Sequence, residues 1–335
     1  MSTHAVRVIL ITEVRPHTNA DALEIIPING WQVVARKGSF NVGDLAVYIE
    51  PDYVVPTDRA EFAFLAKAGK STHRLRALRL RGELSFGLLL PITDVTALDG
   101  AIEPGDDVME LLGITRYVPP QKYTRGGGDE LALEEGPKGL CPKFDIESLA
   151  NYPTVLSVNE TVLVTEKVHG ANARYVVEDG TFYMGSRNRW LKSNCAHAWK
   201  SAADADPRIE AWCRAHPGVF LFGEVYGAVQ SLKYGTKNGE IKFVAFAALD
   251  HDTWLDTAKL HNDATLPTTP LLYHGTWAEC PYKELAEEDS TILGAPKGHM
   301  REGVVIVPVN ERRDPSIGRV ILKYISARYW TSSND

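Results

Sequence analysis

The sequence predicts an α+β protein of two domains, in which a small N-terminal β-barrel is followed by a domain that mixes strands and helices. A chain of 335 residues is longer than one typical domain requires. Residues 1–118 show short strand patterns separated by Gly and Asn turns, whereas helical composition appears only in the second half. A hydrophobic content of 44% with 24% charged residues is typical of a globular protein with an ample core.

Turn signals separate the strands that we predict in residues 1–118. The first strand is predicted at residues 6–14, and Asn29-Gly30 joins strands at 23–27 and 31–35 as a hairpin. Later strands are predicted at 43–49, 77–81 and 85–90, and Gly82-Glu83 connects the last two. Many short strands of this kind indicate a small barrel.

A change of composition divides the chain after residue 118. Residues 119–150 contain Pro119-Pro120, three consecutive glycines and an acidic run, which predicts a linker and mobile loop. Residues 151–335 form the predicted second domain. Strands are expected at 160–165 and 173–177, the second ending at Asp179-Gly180, and a helical stretch at 196–216.

The most informative stretch is Thr165-Glu166-Lys167-Val168-His169-Gly170-Ala171-Asn172, where a β-branched strand ends at a lysine. A lysine at such a junction can be partly desolvated, which favours the free amine and makes it a candidate nucleophile. Gly170 would let backbone N–H groups approach a phosphate closely. A single Lys-x-x-Gly is common, however, and most lysines are solvated surface residues. Other motifs of the chain are therefore needed to decide whether Lys167 is a nucleophile or a surface residue.

Further motifs follow the lysine in a fixed order. They are Gly185-Ser186-Arg187, Leu221-Phe222-Gly223-Glu224-Val225-Tyr226-Gly227, Phe243-Val244-Ala245-Phe246, Arg301-Glu302-Gly303-Val304-Val305-Ile306 and Val320-Ile321-Leu322-Lys323-Tyr324. With the lysine motif, this series resembles the covalent nucleotidyltransferase superfamily of ATP-dependent ligases and capping enzymes.

The resemblance can be narrowed to RNA ligases. DNA ligases and capping enzymes usually carry an aspartate where this chain has His169, whereas Glu-Lys-x-His-Gly-x-Asn resembles RNA ligases that seal nicks in duplexes. Residues 141–149 and the N-terminal half are similar to the Deinococcus-type RNA ligases. That resemblance implies an OB-like β-barrel followed by a mixed α+β adenylyltransferase domain. The closing motif departs from the usual Lys-x-Lys, because Ile321 stands where the first lysine would be and leaves Lys323 alone.

The resemblance also implies ATP and a Mg²⁺ or Mn²⁺ ion as cofactors and gives the residues roles. Lys167 would be the nucleophile, Arg187 and Lys323 would contact phosphate, Glu224 the ribose, and Phe246 would stack on adenine. Glu302, with Glu224, would face the metal ion, and Asn172 either the phosphates or a metal-bound water. The implied nucleotide-binding set is Glu166, Lys167, His169, Asn172, Arg187, Glu224, Phe246, Glu302 and Lys323.

An RNA or RNA-containing nicked duplex is the implied partner, although the formal net charge is −7. Net charge is a poor guide where charges segregate, because a basic stripe creates its own local field. The candidate stripe is Arg74, Arg76, Arg79 and Arg81. A solvated strand face explains these arginines about as well as phosphate binding, and the nearby Lys67 and Lys70 favour phosphate slightly.

Composition indicates a cytoplasmic protein. The N-terminus shows no signal-peptide pattern, no stretch approaches the roughly 18–20 apolar residues of a membrane span, and four irregularly spaced cysteines suit a reducing compartment. We expect a monomer without membrane association. Two alternatives stay open: a DNA ligase or capping-type nucleotidyltransferase, and a non-catalytic nucleic-acid-binding homologue.

Overall fold

The computed structural model describes residues 5–95, 102–118, 133–139 and 141–332. These residues form two compact units, one containing 5–95, 102–118 and 150–153, and the other containing 133–139, 141–149 and 154–332. Each helix of the described residues is far too short to cross a bilayer.

The first unit is built from short strands. They are β1 (Arg7–Leu10), β2 (Arg15–Pro16), β3 (Leu23–Ile28), β4 (Trp31–Arg36), β5 (Leu45–Ile49), β6 (Tyr53–Pro56), β7 (Thr72–Arg74), β8 (Ala77–Leu80), β9 (Glu83–Phe86), β10 (Leu88–Pro91) and β11 (Thr115–Arg116), with 3₁₀ turns at Ala60–Leu65 and Ile92–Asp94. The hydrogen-bonded orders are β1-β5-β10, β2-β3-β4, β11-β6-β7 and β8-β9.

The turns of this unit match the sequence patterns closely. Asn29 has φ +52° between β3 and β4, as the predicted hairpin requires. The β8–β9 hairpin turns one residue earlier than predicted, at Arg81 and Gly82, whose φ values are +52° and +103°. Two positive φ values match the right-handed twist of a tight hairpin. The predicted first strand is shorter than expected, because β1 ends at Leu10.

The second unit contains the remaining elements. Its strands are β12 (Glu147–Ser148), β13 (Thr161–Lys167), β14 (Ala171–Glu178), β15 (Thr181–Ser186), β16 (Trp190–Leu191), β17 (Val219–Gly227), β18 (Ile241–Asp250), β19 (Thr253–Trp254), β20 (Leu271–Thr276), β21 (Gly303–Pro308), β22 (Arg313–Asp314), β23 (Gly318–Arg319) and β24 (Leu322–Ile325). Its helices are α1 (Ala198–Ala205), α2 (Arg208–Ala215), α3 (Thr257–His261), α4 (Tyr282–Glu287) and α5 (Ala327–Trp330), with a 3₁₀ turn at Trp277–Glu279.

Two sheets form the body of this unit. A five-stranded sheet has the order β12-β24-β21-β13-β20, and a six-stranded sheet has the order β16-β15-β14-β17-β18-β19. Leu163 and Val307 of the first sheet share a buried cluster with Val176 and Phe222 of the second, so the sheets pack face to face. Helices α1 and α2 cover the other face of the six-stranded sheet through a separate apolar cluster.

The helical stretch predicted at 196–216 is present but divided. It forms α1 and α2, with Pro207 between them. Helix α1 ends before Pro207 because proline has no N–H to continue the hydrogen-bond ladder. His197 caps α1, its Nδ1 accepting the N–H of Lys200 at 3.0 Å.

Part of the segment that composition assigns to a linker packs into the second unit. Phe144 is buried between the two sheets, and Glu147 pairs with Leu322 where β12 runs parallel to β24. Residues 119–132 of the predicted linker lie outside the described residues.

A buried ion pair lies at the junction of β13 and β21. Arg301 is 0% exposed, and its Nε is 3.4 Å from Glu166 Oε2. Ser290 Oγ donates to the Glu166 carboxylate at 2.5 Å, as does the Thr291 N–H at 2.8 Å, while the Arg301 guanidinium donates to the Leu285 and Asp289 carbonyls. The pair therefore ties β13 to residues 285–291, which precede β21.

We expect Arg301→Met to lower the free energy of unfolding by about 3–5 kcal/mol, because it leaves the Glu166 carboxylate buried without its partner. Urea unfolding followed by tryptophan fluorescence measures the effect. Adding Glu166→Leu should recover most of the loss, because an apolar pair can replace a buried ion pair. Additive losses in the double variant would contradict this account.

Candidate active site

Lys167 and Glu302 meet where β13 and β21 end side by side. Lys167 lies opposite Gly303 in the ladder, and its Nζ is 2.7 Å from Glu302 Oε1. Gly303 is required there, because a Cβ would lie 2.2 Å from the Tyr324 carbonyl oxygen. The predicted lysine and acidic motifs, separated by 135 positions in the chain, thus form one charged pair.

His169 extends this pair into a hydrogen-bonded network. Its Nδ1 is 3.5 Å from Glu302 Oε2 and 3.2 Å from the Tyr329 hydroxyl, and its Nε2 is 3.1 Å from Ser231 Oγ. Its backbone N–H donates to the Tyr234 hydroxyl at 2.6 Å. The His169 ring is therefore held from several sides and lies beside Oε2 of Glu302.

The six-stranded sheet supplies two polar groups that face the same cleft. Asn172 of β14 lies directly opposite Glu224 of β17, so both side chains project from one face. Gly170 allows the loop after Lys167 to approach this strand, because a Cβ there would lie 2.2 Å from the Val225 carbonyl oxygen and 2.9 Å from Glu224 Cγ. The glycine is thus explained by a close approach to protein backbone.

A cavity of about 90 Å³ lies between the two sheets beside these groups. Lys167, Asn172 and Glu224 line its polar part. The apolar part is lined by Phe144, Ile146, Phe246, Val305, Val307 and Ile321. The ladder between β17 and β18 shifts register between Phe222 and Gly223, which makes Phe246 the extra residue of a β-bulge, and bulges redirect side chains. One end of the cavity suits a flat apolar group, and the other suits charge.

The two carboxylates of the site, Glu302 and Glu224, ionise at different pH values. Burial opposes ionisation of Glu302, but the Lys167 charge and the nearby His169 ring outweigh it and lower the pKa of Glu302 to about 2. Burial, opposed by the Lys167 charge and aided by the neighbouring Glu302, raises the pKa of Glu224 to about 8. At neutral pH Glu302 is ionised and Glu224 carries a proton.

Two buried oxygen atoms at the site have no hydrogen-bond donor among the described residues. They are Glu302 Oε2 and Asn172 Oδ1. Oxygen atoms of this type are the ligands of hard cations such as Mg²⁺, which keeps several waters and is held by few protein groups. No cluster of three or more His, Cys, Asp or Glu side chains suited to a metal occurs among the described residues. The donor set therefore fits a cation shared with phosphate and water.

Three other residues predicted to contact the nucleotide, Lys323, Arg187 and Glu166, have different surroundings. Lys323 is opposite Val305, which is itself opposite Thr165, so register places Lys323 on the Lys167 face of the sheet. Arg187 follows β15 and forms an ion pair with Asp145. The Glu166 carboxylate is engaged by Ser290, Thr291 and Arg301 on the other side of β13, so it does not meet the Lys167 amine.

The arginines predicted to contact nucleic acid do not form one stripe. Arg74 ends β7, where its Nη2 is 2.7 Å from Asp52 Oδ1 and its guanidinium carbon is 3.6 Å from the centre of the Tyr117 ring. Arg76 lies between β7 and β8, Arg79 donates to the Gly82 carbonyl at 2.9 Å, and Arg81 occupies the hairpin turn. Arg74 thus has a structural partner, and the break between β7 and β8 separates it from Arg79 and Arg81.

Several residues of the site were not predicted as site residues. Phe144 and Ile146 line the cavity from the presumed linker, and Asp145 between them pairs with Arg187. Ser231, Tyr234 and Tyr329 hold His169 from distant parts of the chain. The resemblance of residues 141–149 to RNA ligases was the one available signal, and it did not identify individual side chains.

The comparisons with known proteins agree with this architecture. The RNA ligase family model matches residues 160–325, and an OB-fold domain model matches residues 5–92. The second half of the chain therefore matches the RNA ligase family. The OB fold predicted for the N-terminal half and the nucleotidyltransferase fold predicted for the second half are both confirmed. No curated protein sequence matches the chain.

Solved structures of a Naegleria gruberi RNA ligase resemble the chain over nearly its whole length. A variant with ATP and Mn is 28% identical, covers 98% of each chain and has a TM-score of 0.79. A variant with AMP and Mn is 27% identical, covers 97% of this chain and 98% of that one, and has a TM-score of 0.78. A structure with PPi is 26% identical, covers 97% of each chain and has a TM-score of 0.79.

We expect Glu224 to contribute a loss of stability as the pH rises from 4.5 to about 8, and Glu224→Gln to remove that contribution. A carboxyl whose pKa rises from 4.5 to about 8 on folding stabilises the fold fully below pH 4.5. This stabilisation declines as the pH rises through the folded pKa. Urea unfolding at a series of pH values measures it. The exposed Asp252→Asn is the control, and equal pH profiles for wild type and Glu224→Gln would contradict the assignment.

Proposed function

We propose that this chain is an ATP-dependent RNA ligase that joins 3′-OH and 5′-phosphate ends through an adenylate on Lys167. The match of its second half to the RNA ligase family and the whole-length similarity to ligase structures with ATP, AMP and Mn make it an RNA ligase that uses ATP. The observation that supports Lys167 as the nucleophile is its position beside Glu302 at the polar end of a cavity whose other end is apolar.

In the first step the Lys167 amine attacks the α-phosphorus of ATP. A P–N bond forms, the bond to the bridging oxygen of the β-phosphate breaks, and pyrophosphate leaves with the electron pair. Glu302 is a poor proton acceptor because its pKa is about 2, so we assign it to hold Lys167 in line rather than to act as the base. The ammonium proton passes to solvent before the attack.

The cavity orients the nucleoside part of ATP. Phe246, exposed to the cavity by its bulge, provides a flat surface for adenine, and Val305 and Ile321 enclose it. Glu224 is neutral below about pH 8, so its carboxyl group can both donate to and accept from a ribose hydroxyl. Orientation of this kind is the main contribution of an enzyme to phosphoryl transfer.

Cations and oxygen ligands act at the phosphate end. Lys323 and Arg187 donate charge-assisted hydrogen bonds to phosphate oxygens. Glu302, with Asn172 nearby, would hold a Mg²⁺ or Mn²⁺ ion through the orphaned oxygens of these two residues, and Glu224 would join them in its ionised form. When bound, that ion neutralises charge that develops on the phosphates.

Two further steps complete ligation at the same site. AMP passes from Lys167 to the 5′-phosphate of the broken strand, and the 3′-hydroxyl then displaces AMP to form the phosphodiester. We propose a nick in an RNA-containing duplex as the substrate, a cytoplasmic location and a monomeric enzyme. Arg76, Arg79 and Arg81 would contact the phosphate backbone, which positions a duplex without reading its sequence.

We expect incubation with ATP and Mg²⁺ or Mn²⁺ to add one AMP to Lys167, because this lysine alone combines the motif with the cavity and Glu302. Mass spectrometry of the peptides locates the label, and acid should release it, as a P–N bond requires. Lys167→Ala should abolish labelling, and the exposed Lys283→Ala should not affect it. AMP on another residue would overturn the assignment, and GTP in place of ATP would indicate a capping-type enzyme. Labelling without sealing of any nicked duplex would leave an adenylyltransferase that is not a ligase.

We expect Asp145→Asn to lower the KM for ATP in self-adenylylation by up to about fivefold, because Asp145 competes with phosphate for Arg187. A pair as exposed as this one contributes up to about 1 kcal/mol. Initial rates of AMP uptake at a series of ATP concentrations measure the effect. In an Arg187→Gln background the same substitution should change nothing. A raised KM, or the same effect in both backgrounds, would show that Asp145 does not compete for Arg187.

A further inference from the structure

A groove of about 780 Å³ lies in the N-terminal unit and belongs to no part of the adenylylation site. Its floor contains Val33, Val34 and Leu89, which are core residues of this unit. The 3₁₀ turn Ala60–Leu65 borders it on one side, and the hairpin of β8 and β9 borders it on another. Its volume lies within the range of about 300–1,000 Å³ that is typical of small-ligand pockets.

Two large apolar side chains at the groove face solvent. Phe64 is 65% exposed and Leu78 is 56% exposed. Exposed aromatic rings of this kind are costly to leave in water and are found where a flat partner stacks on them. An apolar floor with an exposed ring suits an unstacked base, because every base has a π-face.

The rim of the groove is cationic. Arg36, Lys67, Lys70, Arg74 and Arg76 line it, and Asp94 is the one carboxylate among its described lining residues. Neither Lys67 nor Lys70 forms an ion pair with a described residue. These positive charges act on His73 in the same groove. Burial lowers the pKa of the His73 imidazole, and the charges of Lys67, Lys70 and Arg76 lower it further. The groove therefore complements a polyanion, although the chain as a whole is acidic.

A concave apolar floor distinguishes between two forms of nucleic acid. A paired duplex presents only its phosphates and groove edges, and its bases are already stacked. An unpaired strand offers free base faces to Phe64 and Leu78 and phosphates to the lysines. Apolar and cationic surfaces are both satisfied only by the unpaired strand.

We propose that this groove binds an unpaired stretch of the RNA strand beside the break, with a base on Phe64 and phosphates at Lys67 and Lys70. The inference rests on the proposed function, which makes RNA the substrate. It extends that substrate to nicks that carry an unpaired stretch of the strand nearby and assigns the N-terminal unit to hold that stretch. The Lys67-Ala68-Gly69-Lys70 turn, in which Gly69 has φ +75°, presents the two lysines together at the rim.

The test compares the affinities of the full-length protein for two fluorescent RNA substrates. One is a fully paired nicked duplex, and the other carries an unpaired tail at the break, of about four to six nucleotides, near the lower limit of single-strand sites on OB folds. We expect wild type to bind the tailed substrate more tightly by anisotropy. Phe64→Ala should reduce that affinity about five- to 100-fold, as loss of one base–aromatic stack predicts, and leave binding of the paired duplex unchanged.

Matched variants separate stacking from charge. Val42→Ala, which removes apolar surface from an equally exposed residue outside the groove, should have no effect. Lys67→Gln with Lys70→Gln should reduce the log–log salt slope for the tailed RNA by about 1.4, or about 0.7 for each lost phosphate contact. Lys37→Gln, outside the groove lining, should leave the slope unchanged.

Equal affinity of wild type for both substrates, or full affinity of Phe64→Ala for the tailed RNA, would overturn the proposal. Thermal unfolding of each variant verifies that it is folded. AMP uptake at Lys167 is measured in the same preparations and should be unaffected by the groove variants. If wild type takes up no AMP, the proposed function fails whatever the groove binds. If it takes up AMP and shows no preference for the tail, only the groove proposal fails.

Discussion

The register between β13 and β21 is the constraint on which the site depends. It pairs Lys167 with Gly303, and it places two ion pairs at the same strand ends, Lys167–Glu302 at the cavity and Glu166–Arg301 in the protein interior. Successive residues of a strand point to opposite faces, so a slip of β13 by one residue would turn Glu166 toward Glu302 and Lys167 toward Arg301. Both ion pairs would then be replaced by contacts between like charges, and the lysine would leave the cavity. The interior pair thus makes the wrong register costly.

One positive charge near a buried and a half-buried carboxylate explains the electrostatics of the site. Lys167 contacts Glu302 directly, so Glu302 is the carboxylate that ionises, and Glu224 keeps its proton. Two ionised carboxylates in so dry a site would repel each other and the incoming phosphates. The arrangement reduces that repulsion before ATP arrives. It also leaves Glu302 Oε2 and Asn172 Oδ1 without hydrogen-bond donors among the described residues, in the region where phosphates and a hard cation are expected.

Sequence motifs predicted the local part of this site and missed the part that depends on packing. Lys167, Glu224 and Glu302 lie in short motifs whose strands are evident from apolar and β-branched residues, and the structure brings them together. Phe144 and Asp145 follow a segment rich in Gly and acidic residues, so composition suggested a loop, yet one lines the cavity and the other pairs with Arg187. Their position is fixed by the parallel pairing of β12 with β24, a contact between distant segments that no local pattern encodes.

The same limit explains the arginines of the first unit. The four arginines of the candidate stripe lie close together in the sequence, but the chain leaves β7 after Arg74 and turns back at Arg81. Arg74 pairs with Asp52, which lies 22 positions earlier. Sequence spacing gives the face of a residue only while the strand continues, and tertiary partners decide the rest.

The structure also accounts for Ile321, the one departure from the closing motif. Ile321 and Lys323 project from the same face of the sheet, but Ile321 lies at the apolar end of the cavity with Phe144 and Phe246. A lysine there would place its charge among aromatic rings, where burial disfavours ionisation. Ile321 therefore extends the apolar end of the cavity, and Lys323 carries the positive charge of this motif on the same face of the sheet.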